Sequence, residues 1–414
     1  MRSHGNRWFA LFAGVALAAA LFAPMHGAGA QSKTLKLGVL LPLSGPFEAL
    51  GAYTREGLEL YLKEHHNQLG GRPVTLDYGD DQNNPSVGLT QLRRLVEQDH
   101  VDVLYGPVAA NVGAAAVPFV NQNKIAMLWP IVCDDDLTRH PSDYIIRTGW
   151  VCSQTSHVLG DYAYKQLGYR KAATIGYDFN FGWQSIQGFA DVFMTDGGKI
   201  TKEIWTPIVT TDFSPYLSAI PRDVDVVMCS FSGQPAINFM KQYRQFGLKM
   251  PLICQGNATD ESTLTAEGAS AVGIITALQY SPELPGTANR GFVNRYKKAY
   301  GHLPGYYGEG GYVGAEFLDK AIASLHGNTS DPAALIKAIH STTVSDAPRG
   351  PIQIDNYGAP VQNVYIRKVE DNNGTLENTV MRTYSNVSQF WTWTPQQYIA
   401  RPAYGRSSPV CNGC

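Results

Sequence analysis

The 414-residue chain carries 33 Lys and Arg against 35 Asp and Glu, a net charge of -2 with only 16% charged residues. The basic residues are scattered, with Arg93-Arg94 and Lys297-Lys298 the notable pairs, which excludes a nucleic-acid surface built on charge. The length exceeds what one hydrophobic core usually supports, so two domains are expected.

Arg2 and Arg7 precede an apolar run from Trp8 to Ala23 that is too short to span a bilayer and ends in Ala28-Gly29-Ala30, a small-residue cleavage site. Residues 1–30 read as a secretory signal, and Gln31-Ser32 offers no lipid-anchoring Cys. Losing Arg2 and Arg7 would move the net charge from -2 to -4. No later stretch reaches the ~18 apolar residues of a membrane helix, so a soluble exported chain is expected.

Periodicity then predicts strand and helix in alternation. Residues 35–41 are an apolar strand, 47–66 a helix, 74–78 a strand, 85–98 a helix, 101–105 a strand, 110–122 a helix and 125–129 a strand. The order restarts after Cys152 with helix 153–166, strand 172–177 and a helix whose face carries Trp183, Ile186, Phe189, Ala190 and Phe193. Strand 200–205, helix 212–219, strand 224–229, helix 234–246 and strand 252–254 follow. Two such runs imply an α/β chain of two doubly wound parallel-sheet lobes. Helices at 290–300, 309–325 and 332–340, then strands at 351–354, 361–369 and 380–384, break the rhythm. Helices returning to one lobe and strands to the other would cross about three times between them. A multi-strand hinge beside a cleft follows, the usual place for a small ligand.

Catalytic signatures are missing. Ser230-Phe231-Ser232-Gly233 lacks the first Gly of a nucleophile elbow, and no phosphate loop or dinucleotide fingerprint occurs. His65-His66 lacks zinc spacing and reads as a solvated pair. Asp134-Asp135-Asp136 lacks the alternation of a calcium loop and reads as a polar loop with a helix cap. The acids of Asp80-Asp81-Gln82-Asn83-Asn84-Pro85 read as a strand end and helix cap. No enzyme, metal or cofactor is expected. Six cysteines, at 133, 152, 229, 254, 411 and 414, permit 15 full pairings in an oxidising compartment. Cys411-Asn412-Gly413-Cys414 has redox spacing but no flanking fold for it, so a terminal staple or frayed thiols are the expected reading.

The segments Leu37-Gly38-Val39-Leu40-Leu41-Pro42-Leu43-Ser44-Gly45-Pro46, Asp80-Asp81 to Pro85, Tyr105-Gly106-Pro107 with its Ala-rich helix, and Tyr177 to Gly182 resemble the leucine/isoleucine/valine-binding-protein family of periplasmic ABC-importer receptors. The resemblance runs in order from about Lys33 to Tyr384. It implies a type I periplasmic binding fold, a monomer without catalysis, a periplasmic location, and partnership with an inner-membrane permease. The implied lobes are residues 33–150 plus 278–351 and 151–277 plus 352–387, with a tail at 388–414. A soluble sensor of the same fold is the other class that fits.

The resemblance places a ligand carboxylate on the backbone of Val108, Ala109, Ala110 and Asn111 and of Ile131 to Cys133. Relatives have a Ser near Ala110 and a Thr near Cys133. Free amides and a helix's positive end hold an anion without a side-chain cation. Amino-acid binders have a Tyr near Phe181, another near Gly233 and an ammonium-neutralising acid near Asn257. Asn257 is neutral, and an ammonium buried without a counter-charge costs several kcal/mol. Asp260 stands three residues on but reads as a helix cap. Phe47, Trp129, Trp150, Phe179, Phe181 and Trp183 fall on loops expected to face the cleft, and the tail from Ser388 to Pro395 looks like those of aromatic-acid receptors. The expected ligand is a small organic acid, of hydroxybenzoate or hydroxycinnamate type, with a branched-chain amino acid as the alternative. By the same resemblance Cys133 and Cys152 flank the ligand, and a disulfide between them would stiffen the cleft rim. Cys229 and Cys254 end successive strands, as a pair or as core thiols.

Overall fold

The computed structural model describes residues 34–406; the leader and Cys411 and Cys414 lie outside them. A first sheet of six strands runs, in spatial order, Gln68–Leu69, Arg72–Asp80, Leu35–Leu41, Val103–Tyr105, Met127–Trp129 and Ile145–Arg147. Its pairings are parallel except for the opening hairpin. Leu35–Leu41 lies inside this sheet and is buried at every position but Lys36, the continuous apolar run that a strand covered on both faces requires.

The second sheet runs Thr343–Val344, Ile352–Ile354, Pro360–Asn372, Ile275–Leu278, Leu252–Gln255, Val226–Ser230, Lys171–Tyr177 and Lys199–Thr206, with Thr375–Val387 also paired to Pro360–Asn372. Its parallel part follows the predicted order, and the late strands join antiparallel. Strands Ile145–Arg147 and Ile275–Leu278 carry no sequence period because they span three and four residues. The predicted helix at 85–98 is α-helical only over Pro85–Arg93 and widens to a π turn at Arg94–Gln98.

The late helices pack against the first sheet's layer. Helix Tyr306–Ser324 lies on Glu48–Glu64 backbone to backbone: a Cβ on Gly57 would stand 1.9 Å from the Gly308 carbonyl oxygen, and one on Gly311 2.2 Å from that of Thr54. Only glycine permits this approach, and it sets the position of Tyr307 in the first turn. Where the chain crosses between sheets, Arg349 is fully buried. Its Nε donates to Glu309 (2.8 Å) and its Nη1 to the Gly149 carbonyl (2.9 Å), with Nη2 at 2.6 Å from Glu309 Oε2. Gln362 donates to the same Gly149 oxygen, and Gln154 donates to the carbonyls of Pro360 and Val387.

One sequence reading is corrected here and another is borne out and made specific. The loop at Asp134 and Asp135 is buried, and Asp135 precedes helix Asp136–Arg139 without a side-chain cap: Asp134 accepts from Gln184 (2.5 Å), and Asp135 accepts from the Ser153 amide and the Tyr398 hydroxyl. The cap of Pro85–Arg93 is Asn84, while Asp80 accepts from the Leu43 amide and Ser44 hydroxyl and so ties down the loop after the first strand. The tail forms a helix at Pro395–Ala400 and touches both layers, through Arg139 to the Ile399 carbonyl and Tyr404 to Asp191.

Cys133 and Cys152 are bonded across the first crossing, and Cys229 and Cys254, opposite each other on adjacent strands, form a second disulfide. Alkylation of the unfolded, unreduced protein should leave these four cysteines unmodified in peptide mass spectra, and prior reduction should label all four. Labelling of any of the four before reduction contradicts the pairing.

Burial raises the carboxyls of Asp134 to about 6, Asp81 and Asp135 to about 7, and Glu261 and Glu267 to about 8. Each therefore stabilises the fold fully below its unfolded value near 4 and loses that contribution as pH rises through the folded value. His157 is pushed down to about 3, by burial first and then by the charge of Arg401, so its contribution is lost as pH falls from about 6.5 towards 3. Melting temperature should fall as pH rises from about 5 towards 8.5, with Asp135→Asn making the fall shallower. A calorimetric series across pH checks the shape, and stability that rises from pH 6 to 8.5 contradicts it.

Candidate ligand-binding site

Parallel strands end on one edge of their sheet, so the helices that follow them begin there. Four of these starts meet in one place. Phe47 precedes helix Glu48–Glu64, Ala109 precedes Ala110–Asn123, Phe179 precedes Asn180–Thr195 and Ser232 precedes Gly233–Gln245. None of these four N-cap residues makes a side-chain cap, and all four line a single cavity. Leu50, Val108, Ala110, Ile131, Cys133, Trp150, Phe181, Asn257 and Tyr307 complete its wall. The space within the wall, counted out to its open mouth, is about 330 Å³, so the closed cavity itself is narrow.

No Asp, Glu, Lys, Arg or His is in the wall. Its electrostatics come from helix N-termini, each equivalent to about half a positive charge, and from the polar atoms of Ser232, Asn257 and Tyr307. Asp260 is spent elsewhere, accepting from the Ser262 amide (3.0 Å), the Ser262 hydroxyl (2.7 Å) and the Tyr306 amide (2.7 Å), as the cap reading expects. Burial pushes the Tyr307 hydroxyl well up, Asp260 adds to this, and hydrogen bonds from Asn257 and Ser232 oppose it, so the phenol stays protonated.

The apolar walls are held by contacts behind them. The Tyr177 ring lies 5.3 Å from Phe179, 6.3 Å from Phe181 and 6.2 Å from Phe47. Trp150 donates its indole N–H to the Ile131 carbonyl (2.8 Å) and meets Phe181 and Tyr306 edge-on. The two layers touch around the cavity: the Gln234 amide donates to the Pro46 carbonyl (3.1 Å) and Asn257 Nδ2 to the Tyr307 hydroxyl (2.7 Å). The cleft is therefore closed in this structure.

The structure brings Phe47, Val108, Ala109, Ala110, Ile131, Cys133, Trp150, Phe181 and Asn257 together in the wall, and leaves Asn111 and Gly233 out of it. Asn111 sits one step past the start of its helix and is part-buried outside the wall. Gly233 has φ +62°, and a Cβ there would stand 2.7 Å from the Pro46 carbonyl oxygen and 2.9 Å from the Phe47 ring, so this position permits closure of the cleft. Of the aromatic set, Trp129 is fully buried outside the wall and Trp183 hydrogen-bonds Asp178 away from it. Leu50, Ser232 and Tyr307 were missed. Leu50 is readable as the residue one turn after Phe47, and Ser232 sits beside the Gly233 that family likeness marked. Tyr307 arrives from a helix remote in sequence and carries no local signal.

A family model described as periplasmic binding protein matches residues 34–375. Leu/Ile/Val-binding protein homolog 6 of Brucella melitensis biotype 1 is 29% identical over 380 residues, covering 89% of this chain and 96% of that one. An ABC-transporter solute-binding protein from R. palustris, solved in complex with benzoate, superposes with a TM-score of 0.81 at 28% identity, covering 86% of this chain and 97% of the other. Another, from Rhodopseudomonas palustris BisB5 in complex with 3,4-dihydroxybenzoic acid, has a TM-score of 0.81 at 31% identity over 86% and 98%. With two parallel-sheet lobes closed on one small cavity, this chain belongs to the periplasmic binding protein family and is a periplasmic solute-binding protein of the ABC-transporter type.

Proposed function

We propose that the protein captures a small aromatic carboxylate between its lobes and presents it to an inner-membrane permease. The observation that carries this reading is the wall itself: four uncapped helix N-termini, aromatic side chains from both lobes, and no charged side chain. A carboxylate buried there meets backbone donors and positive helix ends. The start of helix Ala110–Asn123 is the natural seat for it, because the small side chains of Ala109 and Ala110 let the ligand reach the amides. An ammonium would meet the same positive ends with no acid to neutralise it, since Asp260 is engaged as a cap. Flat rings beside Phe47, Trp150, Phe179 and Phe181 gain about 0.5–1.5 kcal/mol per aromatic pair beyond area burial. The benzoate and dihydroxybenzoate complexes of the two similar proteins support the ligand class.

Binding without turnover is part of this reading, as are export by residues 1–30, lobes at 33–150 plus 278–351 and 151–277 plus 352–387, and action as a monomer. In calorimetry and thermal-shift assays, benzoate-type acids should raise the melting temperature, since ligand at 100 times its dissociation constant adds about 2.7 kcal/mol. Leucine and valine should leave it unchanged. Micromolar binding of leucine or valine with none of any benzoate would overturn the assignment.

A further inference from the structure

The cavity wall has one polar side chain whose hydrogen-bonding capacity the protein leaves half used. Asn257 is 3% exposed. Its backbone amide donates to Gln255 Oε1 (2.8 Å), which fixes the turn Gly256–Thr259, and its Nδ2 donates to the Tyr307 hydroxyl (2.7 Å). Its Oδ1 is buried and has no partner among the described residues. A buried acceptor left unsatisfied is costly, and of the buried polar atoms without a partner among the described residues, Asn257 Oδ1 is the one that belongs to a wall residue. Because the Tyr307 oxygen accepts the bond from Asn257, the phenolic proton is left to be donated. The two residues thus offer an acceptor and a donor side by side in the same wall.

A hydroxyl is the group that fits this pair, since it donates and accepts at once. A carboxylate does not, because it brings no proton to Oδ1. The carboxylate of the proposed ligand belongs instead with the helix start at Ala109–Ala110, on the lobe opposite Asn257. We infer that Asn257 and Tyr307 read a ring hydroxyl, so that the cargo is a hydroxylated aromatic acid and unsubstituted benzoate is a poor substitute. This rests on the aromatic-carboxylate reading and narrows it.

The placement of the pair adds a consequence for closure. Asn257 follows the strand Leu252–Gln255 of the second sheet, whereas Tyr307 is carried by the helix packed on Glu48–Glu64 beside the first. The hydroxyl-reading group exists only when the lobes are together. A ligand hydroxyl bonded to both residues therefore ties the two lobes through the ligand, and one without it leaves Oδ1 unpaired in the closed state. Selection for the hydroxyl is made at the closing step.

The test is isothermal titration of the mature protein with benzoate, 3-hydroxybenzoate, 4-hydroxybenzoate and 4-methoxybenzoate, the last able to accept but not donate. At least one hydroxybenzoate should bind about tenfold or more tightly than benzoate, because a site built to bond a hydroxyl rejects the analogue lacking it. The methoxy acid should gain nothing over benzoate. In Asn257→Leu the preference should collapse to less than about threefold. Tyr307→Phe, which keeps the ring and removes one oxygen, should do the same and serves if the first variant does not fold. Benzoate binding to the wild type within about threefold of every hydroxybenzoate would overturn the inference and leave the aromatic-carboxylate reading intact, as would a preference that survives both substitutions. Binding of leucine with no aromatic acid would remove the reading and the inference together.

Discussion

The parallel strand is the constraint on which the site depends. Every strand of such a sheet delivers its carboxyl end to one edge, and the helices that follow must begin there with their first amides unpaired. Here two such edges face each other, and the residues at four helix starts, Phe47, Ala109, Phe179 and Ser232, supply no side-chain cap. Two of these starts spend an amide on backbone, Glu48 on Gly45 and Gln234 on Pro46, and the amides that stay free are donors with a fixed direction and no rotamer entropy to lose. A cavity lined this way is positive without holding a single cation, so it can take an anion without burying an unpaired charge when empty. The lack of a carboxylate in the wall then separates anions from zwitterions, because the energy of an unneutralised ammonium in that field has nothing to offset it.

Closure of the cavity depends on a different kind of interaction. The Arg349–Glu309 pair is wholly buried at the crossings and shares the Gly149 carbonyl with Gln362. A buried pair adds little net stability over apolar packing, yet removing one partner leaves a buried charge behind. Its evident use is to hold the crossing segments in one geometry, together with the Cys133–Cys152 disulfide. By contrast, the contacts around the cavity are few and single: Gln234 to Pro46, Asn257 to Tyr307, and Tyr306 to Asp260. Stiff crossings with a lightly held mouth are what a receptor that must also release its ligand requires.

Much of this was legible because it is local. A residue just past an apolar strand and just before a helical period lies at the strand's carboxyl edge, and that rule alone puts Phe47, Ala109, Ala110, Phe181 and Asn257 near one another once two lobes are recognised. What was not legible depends on partners far along the chain. Asp134 and Asp135 read as a polar loop with a helix cap because Gln184, Ser153 and Tyr398, which bury and bond them, stand on other elements. Tyr307 was hidden in a helix whose glycines serve packing against Gly57, a match that no periodicity reports. Trp129 and Trp150 look alike in sequence, yet one ends a strand pointing into the layer behind the wall and the other sits at the crossing where its indole bonds Ile131.

On the proposed reading, the aromatic wall and the helix termini act on different parts of one ligand, and neither suffices alone. Tyr177 is not in the wall, but it braces Phe179 and Phe181 from its own lobe and Phe47 from the other, so the ring surfaces are set only when the lobes meet. An aliphatic acid would find the same amides but would leave these flat surfaces imperfectly covered. A planar ring of the proposed kind would cover them and hold its carboxylate in line with the helix starts. Shape thus makes the electrostatic grip specific, since amides that bind any anion become selective only when the body of the ligand decides whether the lobes can close.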